Sequence, residues 1–342
     1  MPSHTFQAEI LDQPAALQRV IDTYTGPAGR ERWARLPERG GRPVLVGMGA
    51  SYHSALLGAH FLERRGITAV AREAADLLYE DGPVLAQATA LLYISQSGAS
   101  GEVAPLLERL PAGTPVIALT NDEHSLLARR ADTMLPLLAG DEQTVATKTY
   151  LNTLALLWLL AARWSGDDQV ADNGLVAAHE HITALLAQGA KLARRWAERL
   201  RPAKTLAFLG TGPQAVTARQ CAMMAMEWLK VPALSASVGA FRHGPLEIVE
   251  PGLGAVLFAA PGPAYASTLR LAEELDGYGA TVVVVENGQT RGLDDPAERE
   301  GVNDELAPLV DVVPVQLFIE ALARERGLVG AFRRISKVVK HV

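Results

Sequence analysis

Apolar residues recur along this chain in two alternating rhythms. Short unbroken runs, "RPVLVG" (42–47), "ALLYIS" (90–95), "TPVIALT" (114–120) and "TMLPL" (133–137), have the length of buried strands. Between them lie stretches with apolar positions three and four apart, such as "YHSALLGAHFLERRG" (52–66), "EVAPLLERL" (102–110) and "SLLARRA" (125–131), which predict helices. "TAVAREAADLLY" (68–79) reads as a strand passing into a helix. A helical stretch over 6–24 is interrupted near Pro14, and a long apolar helix is predicted near 147–164. Strands that alternate with helices predict parallel βαβ units and a doubly wound sheet.

The pattern then begins again. After "SGDDQ" a polar helical stretch runs through residue 200 and reads as a connection. "TLAFLG" (205–210) and the helix behind it match the style of residues 42–66, with Gly210 and Gly212 in the places of Gly47 and Gly49. "AVLFAAPGPA" (255–264) echoes the strand-to-loop unit at 90–99, and "TVVVVENG" (281–288) echoes 114–120. The expected organisation is α/β, two doubly wound parallel-sheet domains in tandem. A helical segment would occupy 1–38, a first domain 39–165, a helical connection 166–203, a second domain 204–325 and a tail 326–342. Chance likeness between two βαβ segments would produce a similar echo.

Composition narrows the function. The chain has 342 residues, 49% of them hydrophobic, enough for two α/β cores. The net charge of −6 argues against a nucleic-acid surface, although basic residues gather near the C-terminus. The N-terminus lacks a basic segment followed by an apolar one, and no uninterrupted apolar run has the length of a membrane span. A cytoplasmic protein with no membrane partner is expected. The single cysteine, Cys221, lies in an apolar stretch and reads as a structural thiol. His179 and His181 are two residues apart, a spacing that turns them from each other on a helix, so no metal is expected.

One loop stands out. "SQSGASG" (95–101) follows an apolar strand and leads into a helix. Free amide hydrogens after a parallel strand favour an anion, serine hydroxyls add donors, and glycine permits close approach. This is a phosphate cradle without the lysine of a Walker loop or the spacing of the dinucleotide fingerprint. "GMGASYHS" (47–54) repeats the device, so Ser51, Ser95, Ser97 and Ser100 can converge on one phosphate. Thr144, Thr147 and Lys148, which open the long helix, are a third contribution, although Thr147 alone also reads as an ordinary cap.

Three residues of the second half are candidate catalytic groups. Glu227 sits among methionines, alanines and a tryptophan, surroundings that disfavour its charged form and suit a shuttle, unless it is simply exposed at a helix end. His243 stands between an arginine and a Gly-Pro turn, where a structural histidine is also common. Lys337 lies near the C-terminus and taken alone is a solvated lysine, with Lys340 as a neighbour.

The segments "GASYHSA", "SQSGASGEV", "VATKTY" and "FRHGPLE" occur in the order seen in sugar-isomerase (SIS) domain proteins, which the chain resembles from "AEILDQP" to "RISKVV". The tandem arrangement resembles the isomerase half of glucosamine-6-phosphate synthase and its stand-alone deaminase and deglycase relatives. The resemblance implies a flavodoxin-like fold and a hexose-6-phosphate substrate. Ser51, Ser95, Gln96, Ser97, Ser100, Thr144, Ala146 and Thr147 become its ligands. The family commonly has threonine where Ser100 stands, which keeps a hydroxyl. The spacing of Glu227 and His243 matches the family's proton-transfer glutamate and ring-opening histidine, and Lys337 its Schiff-base lysine. The tail lacks the family's frequent "QPRNL" lead-in. No cofactor is implied. The histidine of the family comes from a neighbouring subunit, which implies a homodimer with shared active sites. With a short segment before the first strand and no nucleophilic cysteine near the start, glutamine is not the expected nitrogen donor. The expected reaction is deamination of glucosamine-6-phosphate to fructose-6-phosphate and ammonia. A fructosamine-6-phosphate deglycase, another ketose/aldose phosphate isomerase, and a non-catalytic phosphosugar sensor are the alternatives.

Overall fold

The computed structural model of the chain describes residues 5–38, 40–80, 82–293, 295, 304–328, 332–334 and 339. The chain divides into two compact units, one of residues 12–175 with 333–342 and one of residues 1–11 with 176–332. Three helices come first, α1 (Phe6–Leu11), α2 (Gln13–Tyr24) and α3 (Pro27–Trp33). Pro14 falls in the first turn of α2, where a missing N–H costs no helical bond, so it starts that helix and separates it from α1.

In the unit of residues 12–175, strands alternate with helices as the pattern predicts. The order is β1 (Val44–Gly47), α4 (Ala50–Glu63), β2 (Val70–Glu73), α5 (Ala74–Tyr79), α6 (Gly82–Ala86), β3 (Leu91–Ile94) and α7 (Val103–Glu108). There follow β4 (Val116–Thr120), α8 (Leu126–Arg130), β5 (Thr133–Pro136) and α9 (Lys148–Ser165). The strands form one parallel sheet in the order β2-β1-β3-β4-β5. Every residue of β1, β3 and β4 is buried, as expected of a parallel sheet covered on both faces. Helix α9 is buried from Lys148 to Ala162 and packs against α2 and α4. Its Asn152 donates to the carbonyls of Ala16 (3.0 Å) and Leu137 (2.8 Å), tying α2 to the strand-end loop.

This strand order places a topological switch point between β1 and β3, where loops leave the carboxyl edge toward opposite faces. The first loop, Gly47–Ser51, is tight. A Cβ on Gly47 would lie 2.6 Å from the Ser51 backbone, so glycine lets α4 start directly over the end of β1.

The other unit contains part of the 33-residue helix α10 (Asp168–Leu200), then β6 (Thr205–Gly210), α11 (Pro213–Leu229), β7 (Ala233–Ser237) and α12 (Val238–Arg242). These are followed by β8 (Leu253–Phe258), α13 (Tyr265–Gly277), β9 (Thr281–Glu286), β10 (Gln289–Arg291) and α14 (Ala307–Glu325). The sheet order is β10-β9-β8-β6-β7, the same winding as the first sheet except that β10 pairs antiparallel with β9. Asn287 (φ 50) and Gly288 (φ 74) form the two-residue turn of that hairpin, the left-handed pair such a turn demands. Gly49 (φ 54, ψ −124) and Gly212 (φ 59, ψ −128) precede α4 and α11 with matching backbone angles.

Two strands escape the sequence pattern, β7 and β10. Both lie at sheet edges; β7, "ALSAS", is only half-buried and lacks a run of large apolar residues. No membrane span is expected from the sequence, yet among the described residues one window within Asp304–Glu325 is long and apolar enough, and 89% of it is buried inside the protein. The helix α14 in that window is a core helix carrying Asp311 and an internal Pro314.

Candidate functional site

The serine-rich loop emerges at the carboxyl edge of the first sheet, between Ile94 of β3 and Val103 of α7. Ser95 is buried, and Gln96, Ser97 and Ser100 are half-buried. The loop folds on its own polar groups. The Gly98 amide donates to the Ser95 carbonyl (3.0 Å) and to Ser95 Oγ (3.1 Å), and the Ala99 amide donates to Ser97 Oγ (3.3 Å). A hydroxyl that accepts in this way keeps its own proton for another acceptor, so Ser95 and Ser97 are set up as donors. Ser51 lies in the first turn of the 14-residue α4, on the neighbouring strand's loop, where helix amides and dipole favour an anion. Ser51 and the loop of Ser95, Gln96, Ser97 and Ser100 therefore flank the switch point, as expected.

The next strand holds that loop in place. Thr120 Oγ1 (3.2 Å) and the Asn121 amide (3.0 Å) both donate to the Gln96 carbonyl. The Leu127 amide donates to the Gly98 carbonyl (3.0 Å). Gly98 is left-handed (φ 56), and a Cβ there would lie 2.1 Å from Ser125 Oγ. Asn121 is also a bracket to the loop leading to α9: its Nδ2 donates to the Gly140 carbonyl (2.8 Å) and its Oδ1 accepts from the Ala139 amide (3.0 Å). Beneath the serine loop, Tyr93 and Glu102 are buried; burial, then the Glu102 charge, push the Tyr93 hydroxyl up from its ordinary value.

The third predicted contribution is less open than the sequence implies. Thr144 is buried and Ala146 half-buried in the loop before α9. Thr147 is fully buried, and its hydroxyl donates to Glu142 Oε1 (2.9 Å). It is no side-chain cap, since Glu142 takes that place. Lys148 is buried and donates to Asp12 Oδ2 (2.9 Å) and the Asp141 carbonyl (2.8 Å). The Lys148 ammonium is thus committed to Asp12 and the Asp141 carbonyl, and the serine loop itself offers neutral donors.

In the other unit, Glu227 is half-buried in the last turn of α11, between exposed Met226 and buried Trp228. The Trp228 indole packs at a tilt of 54° against Phe6 (4.8 Å between centroids) and donates to Glu320 Oε2 (3.0 Å). His243 is exposed just after α12, and its neighbour Arg242 pairs with Glu274 at 2.9 Å. Glu227 precedes β7 and His243 follows it. Lys337 and Lys340 lie outside the described residues. Between them the Val339 carbonyl accepts from the Gly101 amide at 3.1 Å, which sets this part of the tail against the serine loop.

One buried polar group has no signature in the sequence pattern. Asp311 on α14 is fully buried and accepts from the Gly288 amide (2.6 Å) and Gln214 Nε2 (2.5 Å). Burial raises its carboxyl to about 7 against these two hydrogen bonds, with the Glu286 charge adding to the rise. Cys221 is fully buried, and burial followed by the Asp311 charge holds its thiol well above the ordinary value, so it is an inert core group. Among the described residues no three His, Cys, Asp or Glu side chains gather to share a metal ion.

Comparison with known proteins bears on the fold that holds this loop. The SIS domain model matches residues 39–163. A glutamine--fructose-6-phosphate aminotransferase [isomerizing] of Pyrococcus horikoshii is 31% identical over 333 residues, which are 95% of this chain and 55% of that protein. The chain therefore spans about half the length of such relatives. The C-terminal domain of glucosamine-fructose-6-phosphate aminotransferase from Francisella tularensis superposes with a TM-score of 0.79 at 20% identity, covering 94% of this chain and 96% of that one. Glucosamine-6-phosphate deaminase from Thermotoga maritima gives 0.78 at 23% identity, covering 95% and 96%. At these identities the two structural likenesses concern the fold. The chain carries a SIS domain at residues 39–163, built on the parallel sheet whose carboxyl edge presents the serine loop.

Proposed function

We propose that the chain is a phosphosugar aldose–ketose isomerase/deaminase, acting on glucosamine-6-phosphate to release ammonia and fructose-6-phosphate. One observation carries the reading: at the switch point of the SIS sheet, Ser95 and Ser97 use their oxygens to hold their own loop and keep their protons to donate. Neutral hydroxyls and amides suit a phosphate ester that must be bound and released without a metal. The names of the relatives supply the substrate class, since both the aminotransferases and the deaminase act on 6-phosphorylated hexoses. The second sheet, with its matching strand order and glycine loop, is read as a second copy of the same domain.

In this reading Ser51, Ser95, Gln96, Ser97 and Ser100 anchor the ester. His243 moves a proton between O1 and the ring oxygen to open the sugar. Glu227 takes the proton from C2 and returns it to C1 while a second proton passes from the amine to O1, turning the open-chain amino aldehyde into a ketimine. Water adds to that ketimine, and ammonia leaves from C2. Lys337 either adds to C2 of the ketimine in place of water, expelling ammonia to give a Schiff base that water then cleaves to fructose-6-phosphate and free lysine, or stays unlinked and stabilises the developing oxyanion. The placement of Val339 at the Gly101 amide supports a tail that reaches the ester loop. A homodimer in which each copy lends His243 to the other, as the family resemblance implies, is part of the proposal.

Incubation with glucosamine-6-phosphate tests this, with ammonia and fructose-6-phosphate assayed together. Equal yields of both are expected. A screen of hexose-6-phosphates with and without a C2 amine separates the outcomes. Turnover of a ketose phosphate or fructosamine-6-phosphate alone would replace the deaminase by an isomerase or deglycase. Tight binding with no turnover of any would mean a sensor.

A further inference from the structure

The loop between β5 and α9 contains a carboxylate that the reaction does not use. Glu142 is 2% exposed, and it accepts four hydrogen bonds. Oε1 receives the Thr147 amide (2.9 Å), the Thr147 hydroxyl (2.9 Å) and the Thr149 amide (3.1 Å), and Oε2 receives the Thr149 hydroxyl. These are the first-turn donors of an 18-residue helix, the position at which an anion is most favoured. The chain thus fills that position with its own carboxylate. An ester phosphate has no vacancy there, and Thr147 spends its hydroxyl proton inside the protein.

The same loop is fixed at its other end. Asn121 grips Ala139 and Gly140 through its side chain while its amide holds the Gln96 carbonyl of the serine loop. Lys148 ties the Asp141 carbonyl to Asp12. Only residues 143–146, with Thr144 and Ala146 among them, lie between these anchors and Thr147.

We propose that Glu142 is a positioning residue of the phosphosugar site. By occupying the N-terminus of α9 it sets residues 143–146 as the third wall beside the serine loop, and it leaves the ester phosphate to Ser51, Ser95 and Ser97. The proposal rests on the phosphosugar reading above.

The test uses the full chain with Glu142→Gln and Glu142→Ala, assayed for KM and kcat on the hexose-6-phosphate that the wild type turns over, with and without sodium formate. Glutamine keeps an acceptor for the two amides, so KM should rise by about threefold, and alanine should raise it about tenfold or more. In both, kcat should stay within about threefold, and formate should restore at least half of the lost affinity of the alanine variant by refilling the site. An unchanged KM in the alanine variant, or a loss that formate leaves untouched, overturns the proposal. If the alanine variant is unfolded by circular dichroism, the glutamine variant decides, and a KM equal to wild type overturns the proposal. Hydrogen exchange separates this from failure of the phosphosugar reading, because it needs no substrate. Faster exchange at the Thr147 and Thr149 amides in the alanine variant, reversed by formate, supports the anchoring even if no sugar is turned over. Unchanged exchange overturns it.

Discussion

Gly98 shows how one residue fixes the serine loop. Its left-handed backbone costs any other residue about 1–2 kcal/mol, and a methyl there would collide with Ser125 Oγ at 2.1 Å. Gly98→Ala is expected to weaken phosphosugar binding more than it lowers Tm, measured by calorimetric titration and thermal unfolding on one preparation. An unchanged Kd would show that the loop tolerates displacement. Ser97→Ala removes a donor to a charged ester and should raise KM for phosphorylated sugars about tenfold or more. An equal loss for the unphosphorylated sugar would place the ester away from Ser97. The loop was legible because hydroxyls crowd behind an apolar strand. The groups that hold it were not, since Asn121, Ser125 and Glu142 are ordinary polar residues until the fold brings their partners to them. Thr147 was misleading in the same way, its hydroxyl being turned to Glu142.

At the scale of elements, the strands with large apolar runs and the helices of the first sheet's unit follow the sequence pattern, whereas the helices α13 and α14 and the edge strands β7 and β10 went unpredicted. An edge strand packs on one side only, so composition marks it weakly; "ALSAS" in β7 has one large apolar residue. Helix α14 carries the element-level prediction. Asp311 is raised by burial from 3.8 to about 7. Between those values the unfolded chain ionises while the folded carboxyl keeps its proton. Its contribution to stability is therefore full below about pH 4 and is lost as pH rises toward about 7, by up to about 4 kcal/mol. Asp311→Asn cannot ionise. Its Oδ1 can still accept from Gly288, and its amide can donate to Gln214 Oε1, which has no partner among the described residues, if that side chain turns over. Tm of the variant relative to wild type should rise by several degrees between about pH 5 and about pH 8. A constant difference would mean that Asp311 does not titrate in this range.

At the scale of the molecule, two sheets share one winding, and the serine loop belongs to one of them. The second sheet's corresponding loop, "AAPGPA", has no hydroxyl, so the proposed phosphosugar site falls to the first sheet alone. The division of labour predicts a division of kinetic effects. Glu227→Gln should lower kcat by about a hundredfold and leave phosphosugar affinity within about threefold, the converse of Ser97→Ala. Unchanged kcat would remove Glu227 from the reaction. The most direct measurement is a crystal structure of the protein with fructose-6-phosphate bound. The account predicts ester oxygens within hydrogen-bond distance of the Ser95 and Ser97 hydroxyls and the amides at the start of α4. An ester found at the start of α9 or α11, with the serine loop empty, would contradict it.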